Sequence, residues 1–283
     1  MGKMIKKSLL LPLAVVFILA ACFPLSRASQ ANPQAGTAWL DQFTTKDPRW
    51  DWAYHSGTGY RILGTLPDGT SVAEIGITTD STTSVYSDNS LHETSPSHPD
   101  GVAEMRLKTS DDNGLTIPGA GTRGWGFFDG DTSLGNAAWF WSAPIESDPV
   151  LAGFKAQVIR NGLVVFNQDL YTGTLKIDMT RWHTYRVDLK LDGVSFYVDN
   201  TLVASTNSRP DTSKTLQRVE LWIDNIAVKL SQPGPGYTIH YLAVPQDEKM
   251  WIDWVSYHDQ QATPAGTPPG SGRFFLDLPI LFK

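Results

Sequence analysis

Between Trp39 and about Tyr257 the apolar positions of this chain fall in short alternating runs separated by turn residues, with almost no sustained helical periodicity. Alternation of this kind puts every second side chain on one face of a strand, so each run predicts a strand with one buried face. The turn residues agree. FKAQVIRNGLVVFNQDL holds Asn161-Gly162 between two β-rich runs, and HTYRVDLKLDGVSFYVDNTLVAS holds Asp192-Gly193 and then Asp199-Asn200. Tight hairpin turns need residues that tolerate positive φ, and these pairs supply them. About 220 residues so patterned fit one all-β sandwich or barrel, a size the class reaches as a single domain.

One run, NAAWFWSAP at 136–144, sets three aromatic rings in a row with no charge. In a strand Trp139 and Trp141 share one face and Phe140 takes the other. If the two indoles are core, Phe140 is exposed beside Ala138 and Ser142. If Phe140 is core, the indoles stand on the open sheet, where so much apolar surface is wasted unless something binds it.

The two ends of the chain have a different character. A basic start, MGKMIKK, leads into the apolar run LLLPLAVVFILAAC, too short for the ~20 residues of a membrane span and right for an export signal at 1–22. Cys22 is the chain's one cysteine and follows Leu19-Ala20-Ala21, which looks like the lipobox at which bacterial lipoproteins are cleaved and acylated. Lipidation there predicts a membrane partner through a lipid anchor and a cell-surface or periplasmic location; cleavage after Ser26-Arg27-Ala28 predicts plain secretion. A polar spacer follows at 23–37, the sandwich is expected over 38–259, a Pro/Gly-rich linker over 260–272, and a short apolar tail over 273–283. With 23 basic and 29 acidic residues the net charge is −6, and loss of Lys3, Lys6 and Lys7 with the leader takes it to −9. Nucleic acid is therefore not an expected partner.

Several motifs fail on context. GAGTRG at 119–124 fits G-x-G-x-x-G, but WGFFDGD after it reads as a strand, whereas a dinucleotide needs a helix N-terminus. There is no G-x-S-x-G elbow, and the six histidines form no H-x-H or H-E-x-x-H pair.

Four segments carry a family resemblance. WHTYRVDLKLDGVSFYVDNTLVAS, VELWIDNIAV, MWIDWVSYHDQ and, upstream, GVAEMRLKTS resemble, in the same order, strands of the concanavalin A-like jelly rolls, in particular glycoside hydrolase family 16. The resemblance implies a two-sheet antiparallel jelly-roll sandwich and a polysaccharide or glycan partner. It also implies a catalytic strand, E-x-D-x-x-E or E-x-D-x-E, whose two carboxyl groups stand ~5–5.5 Å apart for retaining hydrolysis. By chain order that strand is NAAWFWSAP, and it holds no acid. Glu146 and Asp148 lie between Pro144 and Pro149 and read as loop residues. Glu220 and Asp224 share a face but lie about 13.5 Å apart along a strand, too far to act as a pair without help from a neighbouring strand.

The expectation is accordingly a carbohydrate site without catalytic residues. Flat rings for the apolar faces of sugars, with a few polar groups beside them, are offered by Trp125, Trp139, Trp141 and Trp222 with Glu220 and Asp224. Core filling accounts for any of these tryptophans equally well, least so for Trp222 between its carboxylates. A relocated glycosidase site and a purely structural surface protein are the alternatives. No cofactor is required; a structural calcium is a candidate by resemblance at Asp253, where one acid falls far short of the ~6–8 oxygens needed.

Overall fold

The computed structural model describes residues 37–260 except 83–84, 96–97, 112–120, 131–134, 173–174, 214–216 and 231–236. The leader with Cys22, most of the linker and the apolar tail lie outside the described residues. In chain order the strands are β1 (Ala38–Asp41), β2 (His55–Ser56), β3 (Gly59–Thr65), β4 (Ser71–Ile77), β5 (Asp88–His92), β6 (Gly101–Thr109), β7 (Arg123–Phe128), β8 (Ala137–Ala143) and β9 (Gly153–Arg160). They continue with β10 (Leu163–Asp169), β11 (His183–Lys190), β12 (Gly193–Val198), β13 (Thr201–Thr206), β14 (Arg218–Asp224), β15 (Ile226–Leu230), β16 (Tyr237–Tyr241) and β17 (Glu248–His258).

These strands build an all-β, antiparallel jelly-roll sandwich. Eight strands form one sheet in the order β13-β12-β11-β6-β17-β4-β3, with β1 paired to the end of β17; seven form the other, β10-β9-β8-β7-β14-β5-β2. The last two, β15 and β16, pair only with each other. The hairpin turns are where the sequence expects them. Asn161 and Gly162 join β9 to β10 at φ 50° and 74°, and Asp199 and Asn200 join β12 to β13 at 49° and 64°. Two successive positive φ values match the right-handed twist of the strands they connect. Between β11 and β12 the turn falls one residue early, on Leu191-Asp192, and Gly193 opens the strand.

The core lies between the inner faces. Trp125, Phe127, Phe140, Phe154 and Leu221 from the seven-stranded sheet meet Met105, Leu107, Tyr185, Val187, Phe196 and Tyr257 from the other. Phe140 is thus core, and so is Trp125, which is fully buried with its ring 4.8 Å from that of Tyr185. This corrects the expectation of Trp125 in a groove. Leu221, Trp125 and Phe140 stand abreast in the register of β14, β7 and β8, so all three point inward together.

One ionic link also crosses the sandwich. The buried Arg123 of β7 reaches Glu248 at 2.8 Å, at the start of β17, and Asp111 at 3.0 Å. Burial pushes the Glu248 carboxyl up and the guanidinium draws it back. GAGTRG therefore ends as the entry to a strand, with its arginine locking the sheets together.

Candidate functional site

The outer face of the seven-stranded sheet is where the expected site residues meet. On β8 that face carries Ala137, Trp139, Trp141 and Ala143, on β14 it carries Glu220, Trp222 and Asp224, and on β7, between them, Gly124 and Gly126. The glycines make room for the rings. A Cβ on Gly124 would sit 2.1 Å from Cη2 of Trp222, and one on Gly126 would meet Cα of Trp139 at 2.8 Å. The three indoles can therefore lie down across β7. Trp139 stacks on Trp141 at 5.3 Å and meets Trp222 at 4.8 Å. Each indole N–H has a protein acceptor: Gln157 Oε1 at 3.0 Å for Trp139, the Leu151 carbonyl at 3.1 Å for Trp141, and Thr122 Oγ1 at 3.4 Å for Trp222.

These rings do not face solvent. Trp139, Trp141 and Trp222 are 2%, 3% and 8% exposed. Ile226, Val228 and Leu230 of β15 and Tyr237 of β16 pack on them, with Leu151 closing the side. Hydrogen bonds hold this cover down: Asp148 N–H donates to the Val228 carbonyl at 2.7 Å, Val228 N–H to Ser147 Oγ at 3.1 Å, and Leu242 N–H to the Asn225 carbonyl at 2.7 Å. The expectation that indoles opposite a core Phe140 stand exposed is corrected. Alternation assigned the outer face properly, and a hairpin that belongs to neither sheet then covered it.

Beside the indoles runs a polar strip. β5 pairs with β14 so that Asp88 lies opposite Asp224, Ser90 opposite Trp222 and His92 opposite Glu220. Burial, reinforced by repulsion from Glu220 at Asp88 and from Asp88 at Asp224, pushes Asp88 up to about 6 and Asp224 up to about 7. Glu220 is also raised by burial, with Arg218 pulling against it. Each acid is tied. Asp224 accepts from Thr122 N–H and Oγ1 at 2.8 and 2.7 Å and from Ile226 N–H at 3.0 Å; Glu220 accepts from Ser90 Oγ at 2.7 Å and Arg218 Nε at 2.8 Å. Tyr86 and Tyr54 lie near enough to Asp88 to pull its carboxyl part of the way back down. Tyr54, 45% exposed, and His55 are the open border of this strip.

Ser90 Oγ also lies 3.0 Å from His92 Nδ1, whose Nε2 is 3.7 Å from Asp51. The trio does not work as a nucleophilic triad. The serine proton goes to Glu220, so its oxygen is left to accept from Nδ1. Burial and the nearby Arg218 lower His92 to about 4, which makes it a poor base.

Asp88, Ser90, His92 and Tyr54 escape a reading of the sequence for apolar alternation. VYSDNSLHE has polar residues on both faces of its strand, since the inner face of β5 holds Asn89 beside Leu91. The D-S-H period of two was the available signal. Glu146 and Asp148 lie, as expected, in the segment after β8 and outside any strand. Asp253, on the eight-stranded sheet, binds the Arg106 guanidinium, and among the described residues no three of His, Cys, Asp and Glu gather as a metal site.

No protein-family model matches the chain, and no curated protein matches it by sequence. Among solved structures it is similar to a Bacillus licheniformis beta-glucanase, with 14% identity over 79% of this chain and 99% of that one and a TM-score of 0.45. It is also similar to a prokaryotic lichenase from a mouse hindgut metagenome, with 15% identity over 78% and 98% and a TM-score of 0.48. A glycoside hydrolase family protein from Mycobacterium thermorestibile gives 18% over 77% and 98% with a TM-score of 0.48. The fold rests on the chain's own strand order, and nothing about activity follows from these likenesses.

Proposed function

We propose that this protein binds carbohydrate without cutting it, and that it is exported and held at a membrane through a lipid on Cys22. The last two points rest on the leader sequence alone. The observation that carries the first is the outer face of β8, which presents Ala137, Trp139, Trp141 and Ala143 where the resemblance implies a nucleophile and an acid/base. The binding surface in this reading is the open border at Tyr54 and His55, with the half-buried Tyr86 beside it, rather than the covered indoles. A half-exposed Tyr54 ring with the Asp88 carboxyl close by offers a sugar both an apolar platform and a polar anchor.

Calorimetry against soluble neutral glucans, with a reducing-sugar assay beside it, tests this. Saturable binding without sugar release is expected, and Tyr54→Ala should weaken it by up to about tenfold, the worth of one good ring contact. Unchanged affinity in that variant rejects the surface, and a blank across a broad glycan panel leaves the structural-protein alternative.

A second reading, hydrolysis, is favoured by one feature. Asp88 and Asp224 stand directly opposite on neighbouring strands, where Cβ atoms are ~4.5–5.5 Å apart, and both titrate near neutrality. That supplies the partner which Glu220 and Asp224 lack along one strand. Sugar release that Asp224→Asn abolishes would establish it; release that survives Asp88→Asn and Asp224→Asn would sink it.

A further inference from the structure

The outer face of the eight-stranded sheet holds a second aromatic row. Lys108 of β6 is paired in register with Trp251 of β17, and Trp182 precedes His183, which pairs with Leu107, so it flanks Lys108 from the other side. The ammonium lies 5.0 Å from the Trp251 ring and 5.4 Å from the Trp182 ring. The Arg106 guanidinium lies 4.8 Å from the Trp182 ring as well. All these side chains are partly open to solvent.

The carboxylates nearby are already engaged, Asp199 by His183 Nδ1 at 2.6 Å and Asp68, within electrostatic reach of Arg106, by Thr70 N–H at 3.0 Å. Glu74 accepts from Tyr60 at 2.8 Å and Trp251 Nε1 at 2.7 Å and pairs with Lys249 at 3.4 Å, while Asp253 is held by Arg106. Lys108 makes no ion pair among the described residues. A molecule that is acidic overall, at −6, thus keeps an ammonium without an ion pair between two indoles on a flat strand surface.

We propose that this row binds an anionic polysaccharide, a chain of uronate or sulfate-bearing sugars, independently of the surface around Tyr54. The indoles would take the C–H faces of sugar rings and Lys108 the acid group between them. Two strand spacings set the indoles roughly 10 Å apart, on the order of one disaccharide. A neutral sugar laid over the row would strip water from an ammonium that has no ion-pair partner, at a cost that an anionic sugar repays. Nucleic acid would have to approach against the net negative charge of the whole chain. The same contacts would exist if cation–π pairing served the sheet alone, so the test must read binding as well as stability.

Full-chain protein is titrated with polygalacturonate, with a sulfated polysaccharide, and with a neutral glucan of similar length, at low and moderate salt. Binding to an acidic chain that weakens with salt is expected. Lys108→Gln should lower that affinity about tenfold and flatten its salt dependence, Trp182→Ala should lower it about fivefold, and Lys108→Arg should retain it. The melting temperature of each variant is followed in parallel, so that a folding defect is not counted as lost binding. Tyr54→Ala should leave polygalacturonate binding unchanged, which separates this surface from the neutral-glycan reading. The proposal is overturned if neither acidic polysaccharide binds, or if folded Lys108→Gln binds as the parent does.

Discussion

On the outer face of the seven-stranded sheet, Trp139, Trp141 and Trp222 lie under a hairpin with three acids and a histidine beside them; on that of the eight-stranded sheet, Trp182 and Trp251 stand in partial contact with solvent around Lys108. Both rows come from outward-facing positions of regular strands. What differs is the neighbour above the sheet. Under β15 and β16 the indole N–H groups are all satisfied by protein and the carboxyl groups are pushed toward their neutral forms. In the open row the charges remain and are balanced by one another and by rings. Covering a sheet turns an aromatic surface into a second core, and leaving it open keeps it available to a ligand.

The largest test of this contrast is the matched pair Trp139→Ala and Trp182→Ala. Truncating a fully packed indole should cost about 3–5 kcal/mol in denaturant unfolding. At Trp182 the loss should stay within about 1 kcal/mol, the worth of an exposed cation–π contact. Equal losses would erase the distinction between a core and a surface row.

A smaller effect probes how the indoles are seated. Gly124→Ala places a methyl against the Trp222 ring and should cost about 1–3 kcal/mol through overpacking. It should also alter the near-ultraviolet signal of the tryptophan stack. A neutral result would mean that the ring has free space to move into.

Fold and site were legible to different depths for one reason. Hairpin pairs such as Asn161-Gly162 and Asp199-Asn200 act locally, and local backbone demands are written in adjacent residues. Alternation likewise told that Trp139 and Trp141 share a face against Phe140. Which of two faces is covered depends on segments far away in sequence: Ile226, Val228 and Leu230 read only as one more alternating run, and nothing local says that they lie on β8. Trp125 lies in the core and not in a groove, and alternation alone gives no sign of inside or outside when both faces of β7 carry glycine or aromatic residues. Asp88 could not be joined to Asp224 before the register of β5 on β14 was known.

That pair gives a test in pH. In the fold Asp88 and Asp224 titrate near 6 and 7 against an ordinary 3.8, so the native state holds their protons more tightly than the unfolded chain. Their stabilising contribution is full below pH about 4 and is lost as the pH rises to about 7. His92 runs the other way, with a contribution present above its ordinary 6.5 and lost as the pH falls toward 4. Asp224→Asn should keep the site's geometry, since its Oδ1 can accept from Thr122 and Ile226 N–H and its Nδ2 can donate to Thr122 Oγ1. The variant should match the parent near pH 4 and exceed it in stability above pH 7. A parent that is equally stable at pH 4 and pH 7 while Asp224→Asn is weaker throughout would show an ionised Asp224 and a solvated strip.

The smallest expected effect closes the comparison from the open side. Lys108→Gln removes an ammonium whose partners in the fold are two rings at 5.0 and 5.4 Å, so unfolding should shift by no more than about 0.5–1 kcal/mol. Added salt should leave that shift nearly unchanged, because no carboxylate pair is broken. A loss of several kcal/mol would place Lys108 in a structural network with Trp182 and Trp251, and the two outer faces would then differ only in the polarity of what they bury.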